Sequence, residues 1–251
     1  MKRAATGVLT GALLLGGCAS VPTGSGQVTQ NPADPWEAWN RKVYAFNDAV
    51  DRAVVEPVAQ AYRDWVPQLV RTGVGNFFGN IGDVWSTANH FLQGKIGSGF
   101  EMGMRVLSNT FFGLGGVLDP ATELRLPRRS EDFGQTLGAW GVPAGPYIVL
   151  PLLGPSSLRD TAGLPLDRWA TTATHFVDVE AWAATTLQLV NVRAELLATT
   201  KLVGDVSLDP YVFVRDAYLA RRLDQVWDGA PPLEKFEDVE ADAPAPPKKG
   251  S

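Results

Sequence analysis

Cysteine is nearly absent. Cys18 is the one thiol in 251 residues, so no disulfide can close within the chain and no cysteine cluster can hold a metal. Histidine is almost as scarce, and His90 and His175 lie far apart, each reading as an ordinary helix residue. There is no G-x-S-x-G elbow, because Gly154-Pro155-Ser156-Ser157-Leu158 lacks the second glycine. There is no G-x-x-x-x-G-K-[ST] loop, because Gly94-Lys95 is followed by Ile96. Excess positive charge is missing: the formal net charge is −5, and Arg128-Arg129 is a lone basic pair in a loop, which leaves no footprint for nucleic acid. No stretch after Cys18 approaches the roughly 20 apolar residues that span a bilayer. These absences argue against an enzyme, a metal or nucleotide site, a nucleic-acid binder and a polytopic membrane protein.

What is present begins at the N-terminus. Lys2 and Arg3 precede an apolar run over residues 4–15, followed by Leu15-Gly16-Gly17-Cys18. This order reads as a signal peptide over residues 1–17. Leu15-Gly16-Gly17-Cys18 resembles a lipobox, whose cysteine carries diacylglycerol and, after cleavage, an N-acyl chain. Acyl chains contribute about 0.8 kcal/mol per buried methylene, and two or more give stable anchoring. Ala19 and Ser20 follow the cysteine; with no aspartate there, an outer-membrane destination is expected. Residues 18–33, rich in Gly, Ser, Thr, Pro and Gln, read as a lipidated, flexible tether. Residues 230–251, rich in Pro, Ala and charge, read as a disordered tail.

Between them, residues 34–229 are dominated by helical periodicity. Trp36, Trp39, Val43, Phe46, Val50 and Val54 recur every three or four residues. Asp34-Pro35 reads as their cap and helix-starting proline, Pro57 as a break or kink, and Pro67 as the end of the continuation. Short glycine-punctuated helices are expected next: residues 81–93 with Gly94 as a stop, and a helix opened by a capping box at Ser98-Gly99-Phe100-Glu101 and stopped by Gly113. Residues 131–141 read as a short helix, and 142–151, with a Gly145-Pro146 turn and the strand-like Tyr147-Ile148-Val149-Leu150, as an apolar hairpin or extended loop. Ser156 or Ser157 is expected to cap a helix, and longer helices follow over about 177–202 and from Asp209-Pro210 to Trp227, with Gly229 as the stop. The class is mostly α, a single domain of many short amphipathic helices.

The middle of the chain combines dense glycine with many aromatics, including Phe77, Phe78, Trp85, Phe111, Phe112 and Trp140. Two readings stay open: a glycine-rich aromatic core, or apolar surface that faces lipid through helices lying in the interface.

Several stretches in fixed order carry a family resemblance. They include Asp34-Pro35-Trp36-Glu37-Ala38-Trp39-Asn40-Arg41, Asn76-Phe77-Phe78-Gly79-Asn80, Asn89-His90-Phe91-Leu92-Gln93-Gly94, Asp132-Phe133-Gly134-Gln135-Thr136-Leu137-Gly138, and Gly154-Pro155-Ser156-Ser157-Leu158-Arg159-Asp160, closed by Tyr211, Arg215 and Tyr218. The set resembles the MlaA (VacJ) family of outer-membrane lipoproteins, over about residues 34–228. The resemblance implies a ring-like helical protein seated in the inner leaflet. Through an amphipathic channel, mislocalised phospholipid would leave the outer leaflet for a periplasmic carrier, MlaC, which maintains lipid asymmetry. Trimeric porins are implied companions.

Lipid transfer needs an apolar path beside a polar lane. Asn47, Arg105, Asn109, Gln135 and Arg159, polar residues embedded in apolar or glycine-rich segments, are the candidates for that lane. Ordinary capping and buried hydrogen bonding would also account for each. Gly141, Gly145 and Gly154 are candidate hinges if residues 142–153 form a gate. Two other classes are a porin-bracing lipoprotein that moves no lipid, and an envelope hydrolase, which would need a nucleophile–base pair near His90 or His175.

Overall fold

A computed structural model describes residues 31–172 and 179–232. Cys18, His175, the signal peptide, most of the tether and the end of the tail lie outside the described residues. The order of elements is α1 (Glu37–Val50), a π turn (Asp51–Val55), α2 (Glu56–Trp65), α3 (Gln68–Leu92), α4 (Ile96–Phe111), α5 (Pro120–Glu123), α6 (Phe133–Ala139), β1 (Tyr147–Leu150), β2 (Gly154–Ser157), α7 (Leu158–Thr172), α8 (Val179–Val206) and α9 (Pro210–Val226). The domain is mostly α, with one small sheet. Among the described residues no helix is long and apolar enough to cross a membrane.

Pro57 does not break the first helix. The chain widens through the π turn, where the Glu56 N–H bonds back to the Asp51 carbonyl, and Pro57 then falls in the first turn of α2. In this continuous helix Pro57 forfeits only its own N–H, and the wider turn clears its ring from the preceding carbonyls. Pro67 separates α2 from α3 as expected.

The glycine punctuation is corrected in α3, one helix of 25 residues that runs straight through Gly73, Gly75, Gly79 and Gly82. Some of these glycines are contact points rather than stops. A Cβ on Gly79 would lie 2.6 Å from Arg128 Nη2, and one on Gly73 would lie 3.0 Å from Val117. Gly94, at φ +75°, ends the α3 region. The capping box at Ser98 is also corrected: α4 starts at Ile96 with Lys95 at its N-cap, and the Ser98 hydroxyl accepts from Arg129 Nη1 instead (3.0 Å). Asp132 and Asp209 do cap, accepting from Gln135 N (2.8 Å) and Val212 N (3.2 Å), and Ser157 accepts from Asp160 N (3.1 Å) at the start of α7.

β1 and β2 form an antiparallel hairpin, Tyr147 opposite Ser157 and Leu150 opposite Gly154. Its turn lies at residues 151–153, so Gly145-Pro146 leads into the hairpin rather than turning it. Tyr147 and Val149 are buried against Val43 and Tyr211, with Tyr44 and Tyr218 at the margin. A second small core joins α2 to α8 through Ala59, Ala194 and Leu197.

Candidate functional site

The distribution of polarity is inverted relative to a water-soluble domain. Among the described residues 18 polar or charged side chains are buried against 11 hydrophobic ones, and Arg105, His90, Asn40, Asn89, Asn109 and Asn191 are among the largest fully buried side chains. Large apolar side chains line the outside: Trp65 is 86% exposed, Trp182 79%, Phe112 77% and Phe111 74%. Of the stripe on α1, Val43 is buried, whereas Trp36, Trp39, Phe46 and, beyond α1, Val54 face out. Exposed apolar surface on this scale marks a membrane or partner surface.

Buried polar groups cost free energy unless paired, and many of those here are paired in three networks. In the first, Arg105 on α4 donates to Asp83 Oδ2 (3.3 Å), Thr122 Oγ1 (3.2 Å), the Leu126 carbonyl (2.6 Å) and Asp119 Oδ2 (2.5 Å). Arg128 adds a second guanidinium to Asp83 Oδ2 (3.0 Å). Burial nonetheless pushes the Asp83 carboxyl above its ordinary range, because desolvation outweighs both arginines. Asn109, one turn beyond Arg105, accepts from Ala121 N (3.0 Å).

The second network is built by α9, where Tyr211, Arg215, Tyr218 and Arg222 share one face. Tyr211 and Arg215 reach Asp34 Oδ2 (2.5 and 3.4 Å). Tyr218 and Arg222 reach Asp160, and Arg222 also reaches Asp132 (2.6 Å). Burial alone would raise the Asp160 carboxyl, but Arg222, Tyr218 and Arg159 outweigh it and hold it at about 2. Asp34 is thus a buried acceptor rather than the cap of α1, whose N-cap is Trp36 with no side-chain bond.

The third network fixes the hairpin. Asn40 accepts from Val149 N (2.9 Å) and donates to the Tyr147 carbonyl (3.1 Å). Two helical turns later, Asn47 donates to the Leu150 carbonyl (2.9 Å) and accepts from Leu152 N (2.7 Å). The two amides pair with β1 as a neighbouring strand would.

The five lane candidates therefore fall into separate places. Arg105 and Asn109 share the first network. Gln135 donates to Asp132 (3.1 Å) and Arg159 to Asp160 (2.9 Å), beside the second. Asn47 holds the hairpin tip. Each has protein partners. The hinge candidates Gly141, Gly145 and Gly154 all have positive φ (+91°, +69° and +84°), Gly154 being the first residue of β2. His90 is buried, with Nε2 3.1 Å from the Arg129 carbonyl. Arg128 and Arg129 are engaged rather than merely solvated, Arg129 pairing with Glu101 (2.8 Å). Asn40, Asp34 and Arg222 were not among the predicted site residues. Their available signal was spacing: Asn40 and Asn47, and the two Tyr-x-x-x-Arg units of α9, each repeat at seven residues.

A cavity of about 680 Å³ opens between α3, the 113–118 loop and α8. Leu69, Phe77 and Phe78 of α3, Val117, and Ala184 and Leu187 of α8 line it, with Thr72 and Asn76 as its only polar side chains among the described residues. Gly73 thins the α3 wall. An apolar slot that opens on an apolar exterior can receive acyl chains without exposing them to water.

The MlaA lipoprotein family matches residues 32–225. This chain belongs to the MlaA family. It is 39% identical over 228 residues to the "Intermembrane phospholipid transport system lipoprotein MlaA" of Escherichia coli (strain K12), with 88% of each chain covered. It is 36% identical over 163 residues to the protein of the same name from Haemophilus influenzae, covering 63% of this chain and 64% of that one. A solved structure reported under "Structural basis for maintenance of bacterial outer membrane lipid asymmetry" superposes with a TM-score of 0.68 at 34% identity, over 77% of this chain and 98% of the other. The span matched by the MlaA family takes in the three polar networks and the α3–α8 slot.

Proposed function

We propose that this chain moves phospholipid between membranes at the outer membrane: it takes mislocalised lipid from the outer leaflet and passes it, through an amphipathic path, to a periplasmic carrier. The observation that carries this is the inverted distribution of polarity, with an apolar slot opening on an apolar exterior. Bare transfer of a lipid through water exposes about 0.8 kcal/mol of unfavourable hydration per methylene, so acyl chains need continuous apolar contact. The α3–α8 slot offers it.

The ring-like shape, the hairpin as a gate hinged at Gly141, Gly145 and Gly154, and channel roles for Asn47, Arg105, Asn109, Gln135 and Arg159 belong to this proposal. So do MlaC and trimeric porins as partners, supported by the family's likeness. Acyl groups on Cys18 would deliver and orient a body that already lies in the leaflet. The chain carries no catalytic role here; the transfer is downhill or is driven by other components. A photoreactive acyl-chain phospholipid incubated with the full chain in micelles should label Phe77, Val117 or Leu187. Labelling confined to the outer apolar surface, with none in the slot, would contradict this route.

A further inference from the structure

Along α8 the face that lines the slot turns polar. Ala183, Leu187, Asn191 and Glu195 recur every fourth residue and run down one flank of the helix. Leu187 lines the slot. Asn191, 1% exposed, accepts from the Tyr62 hydroxyl (3.0 Å) and donates to Glu195 Oε1 (3.1 Å). Gly75 of α3 faces this pair: a Cβ there would lie 3.2 Å from Glu195 Oε1 and 3.3 Å from Asn191 Nδ2. Arg71 sits one turn before Gly75 and donates to the Val66 carbonyl (3.1 Å) and Gln68 Oε1 (2.6 Å). Neither Arg71 nor Glu195 forms an ion pair among the described residues. Burial raises the Tyr62 hydroxyl, Arg71 pulls it back and Glu195 pushes it further, so one cation and one anion both act at that hydroxyl.

We propose that this is the headgroup end of the slot and that it selects a zwitterionic phospholipid, whose phosphate meets Arg71 and whose ammonium meets Glu195 while the acyl chains lie against Phe77, Val117 and Leu187. The proposal rests on the slot being the lipid path. The charge pattern fits: a zwitterionic headgroup brings one charge of each sign, as the protein does. An anionic lipid with no ammonium satisfies Arg71 but leaves Glu195 facing net negative charge. Glu195 is exposed, so its preference is modest, about two- to five-fold, the range an exposed ion pair supports.

The test is equilibrium binding of spin-labelled phosphatidylethanolamine and phosphatidylglycerol to the full chain in neutral micelles. The unaltered chain should prefer phosphatidylethanolamine about two- to five-fold. Glu195→Gln should lose the preference without weakening phosphatidylglycerol, Arg71→Gln should weaken both lipids, and Ala184→Trp should exclude both. Equal binding of the two lipids, with Ala184→Trp still excluding both, would overturn the headgroup assignment and leave the slot standing. Retained preference in Glu195→Gln would overturn it too. No binding of either lipid would remove the slot and the headgroup site together.

Discussion

The Tyr218 hydroxyl on α9 donates to Asp160 Oδ2 at the start of α7 over 2.6 Å, and Arg222, one turn on, closes on both oxygens of the same carboxylate (2.9 and 2.7 Å). Seven residues earlier Tyr211 and Arg215 both reach a single oxygen of Asp34, Oδ2 (2.5 and 3.4 Å). The hairpin lies between the two aspartates in the chain, and Tyr147 at its base meets the rings of Tyr211 and Tyr218 (centroids 6.3 and 5.9 Å). One helix thus pins both approaches to the hairpin.

Arg222→Met should be among the most destabilising single changes. It leaves Asp132 and Asp160 without their shared cation, and removing one partner of a buried pair costs about 3–5 kcal/mol. Denaturant unfolding in micelles measures it. Arg52→Met, at an exposed i,i+4 pair, should leave stability nearly unchanged, because water screens the pair.

The acid limb of stability should carry the signature of Asp160. Its folded pKa, about 2, lies below the unfolded value of about 3.9. Its contribution is therefore complete above about pH 4 and is lost as pH falls towards about 2. Asp83 has the opposite sign: its folded pKa is raised, so it favours the folded state more at low pH. Between pH 5 and 2, Asp160→Asn should show a shallower loss of unfolding midpoint than the unaltered chain, from a lower starting point. An identical slope would show that Asp160 does not drive the acid limb.

Asn40→Ala and Asn47→Ala should separate stability from mobility. Asn40 is fully buried, so its loss strands the Val149 N–H and costs about 1–3 kcal/mol. Asn47 holds the exposed tip, so its loss should cost less while speeding amide exchange at Leu152. Hydrogen exchange resolved by residue distinguishes the two.

Gly113→Ala should fail to fold or lose more than about 3 kcal/mol. A Cβ there would overlap the Asn109 carbonyl and lie 2.5 Å from the Leu118 carbonyl, both backbone atoms that cannot swing aside. Gly82→Ala, with open space at its Cβ within α3, should instead add up to about 1 kcal/mol. Thermal melts of the two proteins compare them directly.

Helix identity and many ends were legible in the sequence, because capping chemistry is local: Asp132, Asp209, Ser157 and Gly94 do what their types suggest. The family was legible from its ordered motifs. The direction of the apolar faces was not. Periodicity groups Trp36, Trp39, Val43 and Phe46 on one stripe but does not say that only Val43 turns inward. Asp34 before Pro35 reads as a cap in sequence, whereas its partners Asn40, Tyr211 and Arg215 are brought in by the fold, two of them from α9. The continuity of α3 was hidden because glycine in a helix reads as a stop until the side chain packed on it, such as Arg128 on Gly79, is known. The slot was illegible for the same reason: it exists only where α3 and α8 meet.

The most direct test is the phospholipid content of the outer leaflet in cells lacking this chain. It should rise, return to normal with the unaltered chain, and stay high with Ala184→Trp present at equal level in the outer membrane. No accumulation on deletion, or full restoration by the slot-filled variant, would contradict phospholipid transport by this route.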